Sequence, residues 1–148
     1  ASHFAPAQMM DAIAVYRERF RPSERLAAPH VMIGVNVFAA ETEDEARFLF
    51  SSLQQAFVNL RSGRPGKLPA PVEGFDGQLD RYARAMLDNA LSCSVVGTRE
   101  TVRQGIADLV ARTGADELMV TAQIHDHGAR LRSFAILAET QVMAGVNA

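Results

Sequence analysis

A chain of 148 residues that is 48% hydrophobic is long enough for one compact core, and its formal net charge of −2 comes from interleaved acids and bases. Without a lysine or arginine stripe beside exposed aromatics there is no footprint for nucleic acid, and the longest apolar runs fall far short of the roughly 20 residues a bilayer-spanning helix needs. The lone cysteine, Cys93, excludes an internal disulfide, and with no secretory leader ahead of the first helix signal a cytoplasmic protein is expected.

The opening residues, Ala1 to Phe4, run directly into helix-like sequence with neither a start methionine nor a targeting segment, and read as the interior of a longer chain. Pro6 suits a first helical turn, and Met9, Ile13, Tyr16 and Phe20 recur at helical spacing on one face. Arg17, Arg19 and Arg21 complement the dipole at the end of this helix, and Pro22 stops it. In HVMIGVNVFAA, Val31 to Phe38 form a β-branched apolar run without alternation, which predicts a strand covered on both faces, as in a parallel sheet. Thr42 and Glu45 then have the spacing of a capping box, and Ala46, Leu49, Leu53, Phe57 and Leu60 carry the apolar stripe of the helix that follows, up to Gly63.

Residues 62–77, SGRPGKLPAPVEGFDG, are rich in the two residues that disfavour helix and sheet interiors, and form the longest predicted loop. Such a loop is either a plain surface excursion or a candidate lid. A helix over Leu79 to Leu91 follows, with Tyr82, Met86 and Ala90 spaced by four. Ser92 to Gly97 is a short extended piece, after which Thr98 is expected to cap a helix that buries Val102, Ile106, Leu109 and Val110 and ends at Gly114. Glu117 to Ile124 reads as the second good strand, and Leu131, Phe134, Ile136 and Leu137 mark a last helix.

Strands separated by capped amphipathic helices predict an α/β fold with right-handed crossovers and a parallel sheet. Val31 to Phe38 and Glu117 to Ile124 should therefore be parallel neighbours, because the intervening helices cannot close a hairpin. Two convincing strands and one short one are too few for about five helices, so further strands must come from elsewhere.

The element VVGTRETVRQGIADLVARTGADELMV, Val95 to Val120, resembles the last helix-and-strand unit of luciferase-like flavin-dependent monooxygenases, the bacterial luciferase family. Members commonly read V-G-[ST]-P-E-x-V there. This chain has Val96, Gly97, Thr98, Glu100 and Val102 in place, with Arg99 where proline is usual. ASHFAPAQMMDAIAVYRERFRPS resembles the stretch from the end of the sixth barrel strand through the sixth helix, and HVMIGVNVFAAETEDEARFL the seventh strand, its turn and the next helix. The likeness extends from Ala1 to about Thr140.

It implies the C-terminal portion of a (β/α)8 TIM barrel, a fold of about 250 residues or more. The portion would hold two to three parallel strands with about five helices, as a single domain over 1–148. The resemblance further implies an oxidoreductase that uses reduced FMN, or in some relatives the deazaflavin F420. In the FMN branch, reaction with O2 gives a hydroperoxide that oxygenates a small organic substrate. Most flavin contacts would come from strands outside this chain, so the chain alone is expected to be inactive and without bound cofactor, and to form a homo-oligomer. The rival reading is a non-catalytic α/β module that self-associates or binds a partner through exposed strand edges.

Barrel enzymes place their chemistry just past the C-terminal ends of the strands. Those positions hold His3 and Ser2 after the presumed sixth strand, Asn36 and Phe38 at the end of the seventh, and Gln123, His125 and Asp126 at the end of the eighth. His3 and His125 are the catalytic candidates, since an imidazole there can hydrogen-bond a flavin edge or move a proton near neutral pH. Ser2, Asn36, Gln123, Gly97 and Thr98 are the cofactor-binding candidates. A buried Asn36 or Gln123 amide needs a partner, either flavin or a neighbouring backbone group. Gly97 and Thr98 at a helix N-terminus suit a phosphate, although simple capping needs the same residues. His125, Asp126 and His127 lack a fourth ligand, so no metal is expected. The methionines are expected mostly on core faces, and Cys93 as a buried inert thiol.

Overall fold

The computed structural model describes residues 6–140. After a single 3-10 turn at Pro6–Gln8, the order is α1 (Met9–Arg19), β1 (Met32–Ala39), α2 (Glu43–Arg61), α3 (Phe75–Gln78), α4 (Arg81–Ala90), β2 (Ser94–Gly97), α5 (Arg99–Thr113), β3 (Glu117–Thr121) and α6 (His127–Glu139). The three strands form one parallel sheet in the order β2-β1-β3. The two longer strands are thus the parallel neighbours that the crossover argument requires. β1 is the central strand and pairs on both edges. Met32–Asn36 pair with Glu117–Thr121, and Asn36–Ala39 pair with Ser94–Gly97. No helix among the described residues is long and apolar enough to cross a membrane.

Side chains alternate across β1 and feed two cores. Ile33, Val35, Val37 and Ala39 pack with Met9 and Ile13 of α1, Val102, Ile106 and Leu109 of α5, and Ile136 and Leu137 of α6. Phe38 and Ala40 pack with Leu49, Leu53 and Phe57 of α2, Leu87 and Ala90 of α4, and Ala122 and Ile124 beyond β3. An apolar run without alternation is what a strand between two such layers needs.

Local chemistry sets most boundaries. The Thr42 hydroxyl accepts from the Glu45 amide at 3.2 Å, Asp80 caps α4 through the Ala83 amide at 2.7 Å, and Asp126 caps α6 through the Ala129 amide at 2.7 Å. Gly114 ends α5 in the left-handed conformation, φ 59°, that a C-terminal glycine supplies without strain. β3 stops at Thr121, short of Ile124, because Ala122 and Ile124 turn away from β1 into the second core.

Within 62–77 a short helix, α3, forms where an uninterrupted loop is expected. The segment is tied to α2 at three points: Gln55 to the Ala70 carbonyl, the Val72 amide to Ser51 Oγ, and Gln54 to the Asp76 carboxylate.

The methionine expectation is corrected. Met9 is buried, but Met10, Met32 and Met119 are 41%, 48% and 57% exposed. The register sets Met119 opposite Gly34 and next to Met32 on one sheet face. The second core reaches Phe38 and Ala40 on that face but stops short of Met32. Leu60 and Tyr82, read as stripe residues, are likewise exposed.

Candidate functional site

Two polar clusters lie within and beside the sheet, one in a row across its middle and one just past the C-terminal end of β2. In the first, the shared register places Asn36, Ser94 and Thr121 in one row across the sheet. Asn36 is fully buried; its Nδ2 donates to Ser94 Oγ at 3.2 Å and its Oδ1 accepts from Thr121 Oγ1 at 2.7 Å. The partners of this amide within the chain are side-chain hydroxyls on both flanking strands, where the sequence suggests flavin or a backbone group. Two residues on, Phe38 closes the same face, its ring edge-on to Phe50 with centroids 5.0 Å apart.

The second cluster lies at the start of α5. Expected to cap this helix with its own side chain, Thr98 does not do so. Its amide donates instead to Glu43 Oε1 at 3.0 Å, and the Thr101 hydroxyl donates to the same oxygen at 2.6 Å. The packing of α2 beside β2 brings that carboxylate to the positive end of α5, where an anion is favoured. A Cβ added at Gly97, φ 152°, would lie 2.6 Å from Thr101 Cγ2 and 2.7 Å from Glu43 Oε2. Only glycine lets the three approach this closely. A phosphate at Gly97 and Thr98 would have to displace Glu43.

The Thr101 hydroxyl and then the Thr98 amide hold the Glu43 carboxyl below its ordinary value of 4.5. A depressed folded pKa stabilises the protein above the unfolded value, and that stabilisation disappears as pH falls through the folded one. Wild type is therefore expected to lose thermal stability more steeply than Glu43→Gln as pH drops below about 4.5. Parallel curves from thermal melts of the two proteins across that range would refute the contact.

Around the same mouth, Arg132 pairs with Glu41 and with Glu139 at 3.9 Å, and Arg99 pairs with Glu139. Each of these half-exposed pairs contributes little alone. The Ala39 amide donates to the buried Ser133 Oγ at 2.9 Å, which fixes α6 across the top of β1.

Gln123 is half-buried and His125 exposed on the connection from β3 to α6, and Asp126 is committed to the α6 cap. His127 Nδ1 lies 2.8 Å from the Arg130 guanidinium. Ser2 and His3 fall outside the described residues. Cys93 is buried, and burial pushes its thiol pKa up, as befits an inert core thiol. A cleft of about 600 Å³ lies on the flank of α2, lined by Phe48, Ser51, Gln54, Val72, Phe75 and Asp76 among others and by no strand residue.

Sequence reasoning missed Glu43 because an acid in the first turn of α2 is already explained by the dipole of that helix. It also missed Ser94 and Thr121 as partners of Asn36, since pairing register is not visible in one sequence.

The family model for luciferase-like monooxygenases matches residues 1–117. A luciferase-like monooxygenase of Escherichia coli (strain K12) is 43% identical over 141 residues, which cover 95% of this chain and 42% of that protein. The uncharacterized protein YvbT of Bacillus subtilis (strain 168) is 40% identical over 139 residues, 94% of this chain and 41% of its own length. The crystal structure of apo-MsnO8 superposes with a TM-score of 0.76 at 28% identity, covering 94% of this chain and 42% of that one. The chain thus spans about two fifths of the relatives it matches, and its three parallel strands and helices fit a partial (β/α)8 barrel. The protein belongs to the luciferase-like monooxygenase family.

Proposed function

We propose that this chain contributes the C-terminal strands and part of the mouth of a cytoplasmic monooxygenase that uses reduced FMN, or alternatively the deazaflavin F420, on a small organic substrate. The observation that carries the reading is the parallel arrangement of three strands whose C-terminal ends open on one side, where Gly97 and Thr98 follow β2 and Gln123 and His125 follow β3, the end at which barrel enzymes work. When bound, the reduced flavin supplies the chemistry with O2.

The residues here supply orientation. The Asn36 amide, clamped between Ser94 and Thr121, ties the three strands together across the sheet and leaves little of itself for a ligand. Gln123 and His125, on the connection after β3, are offered as groups that position the ring edge, with His125 able to hold or release a proton near neutral pH. Ser2 and His3 are assigned the same task on the family resemblance alone. Gly97 and Thr98 take a phosphate only if Glu43 withdraws. Residues 62–77 are proposed as a lid, hinged where Gln54, Gln55 and Ser51 hold it to α2.

Titrating FMN into this chain and into the full-length Escherichia coli relative, with flavin fluorescence as readout, tests the reading. Binding is expected in the full-length protein, weakened about tenfold by alanine at the position matching His125, equivalent to one good hydrogen bond. The 148-residue chain is expected to show neither binding nor oxygenation. Turnover by the chain alone, or a full-length relative that ignores both flavin and F420, would overturn the proposal.

A further inference from the structure

We infer that the cleft of about 600 Å³ between α2 and the turn at 72–76 binds a small organic ammonium ion with a flat apolar body. The inference does not rest on the flavin reading, since no strand residue borders the cleft. Both walls come from one continuous stretch, Asp44 to Asp76, which builds the whole cavity.

Local chemistry holds the two walls apart. Asp44, Arg47, Phe48, Ser51 and Gln54 recur at helical spacing and so share one face of α2. The turn opposite is tied to that face at both ends. The Val72 amide donates to Ser51 Oγ at 2.8 Å, and Gln54 Nε2 donates to Asp76 Oδ1 at 2.8 Å. A cavity fixed in this way is preorganised, so a ligand entering it does not have to order the turn first. Its volume falls within the range of small-molecule sites, and the half-buried Phe48 and Phe75 give it apolar walls.

The polar groups select the ligand. Ser51 is satisfied, because its hydroxyl also donates to the Phe48 carbonyl at 2.6 Å. Gln54 is only 8% exposed and spends its amide nitrogen on Asp76, while its Oε1 has no hydrogen-bond partner among the described residues. A buried acceptor of this kind calls for a donor. Around it stand Asp44, Glu45, Glu73 and Asp76 against one cation, Arg47, which already pairs with Asp44 at 2.7 Å. A donor that is also positively charged meets both demands, and an anion meets neither. The aromatic walls add attraction for a cation and for a flat apolar body.

Phenethylammonium is the probe, with phenethyl alcohol and phenylacetate as its neutral and anionic counterparts, each titrated at neutral pH into isotope-labelled protein and followed by amide NMR shifts. The amine is expected to shift the amides of Phe48, Gln54 and Phe75 and to bind about tenfold more tightly than the alcohol, the worth of one charge-assisted hydrogen bond. Phenylacetate is expected not to bind. Asp76→Asn keeps an acceptor for Gln54 and removes only the charge, so it should keep the fold, which circular dichroism verifies, and bring amine and alcohol close to parity. Glu73→Gln, at an exposed position, is a second variant and should weaken the amine by about threefold, as loss of one exposed charge does. No saturable shift with the amine, equal binding of the three probes, shifts centred away from the cleft, or an unchanged preference in folded variants would each overturn the inference.

Discussion

Replacing Phe38 with alanine is expected to lower the unfolding free energy by about 3–5 kcal/mol, the usual cost of deleting a fully buried ring. Phe38 has no exposed surface and joins the end of the central strand to α2 and α4 through Leu49, Leu53, Leu87 and the edge-on ring of Phe50. Removing the ring takes away its transfer energy and also leaves a cavity, because the strand holding it is paired on both sides and cannot move in to fill the space. Phe38→Leu keeps most of the apolar volume and should cost distinctly less. Urea titrations followed by circular dichroism measure both variants. A loss under about 1 kcal/mol for the alanine variant would mean that α2 collapses onto the sheet, contrary to a well-packed second core.

Asn36→Leu is expected to cost about 2–4 kcal/mol, for a different reason. The amide bonds hydroxyls on both flanking strands, so its removal strands two groups, each worth about 1–3 kcal/mol when left buried and unpaired. Ser94 and Thr121 are only half-buried, so water can reach part of the deficit and the full sum is not expected. Asn36→Val with Thr121→Val should recover part of the loss, since replacing both partners by apolar groups of similar shape is far less costly than orphaning one. A double-mutant cycle reads this directly. Strict additivity of the two single changes would show that the Asn36 and Thr121 side chains do not interact.

The local features of this fold were readable because their causes are local. Thr42 and Gly114 begin and end helices through side-chain or backbone geometry confined to a few residues, and β1 announces its two-sided burial in its own composition. The parallel relation of β1 and β3 also followed, since a long helical crossover leaves no other option. Where several causes converge on one residue type, the sequence is ambiguous. Met32 and Met119 have the composition of core residues, yet whether a layer covers them depends on how far α2 and α4 extend across the sheet. The same holds for Tyr82 and Leu60, whose spacing fits a stripe that the neighbouring elements do not cover.

The sequence by itself determined the family, the α/β class and the helix-and-strand order, because motif spacing, periodicity and capping are properties of short windows. Tertiary structure alone decided that β1 is the centre of the sheet, that the Asn36 amide is held by Ser94 and Thr121, and that Glu43 fills the start of α5. Those contacts join residues 55 to 85 positions apart. Their partners are set by strand register and helix packing, which the whole chain selects together and no single segment encodes.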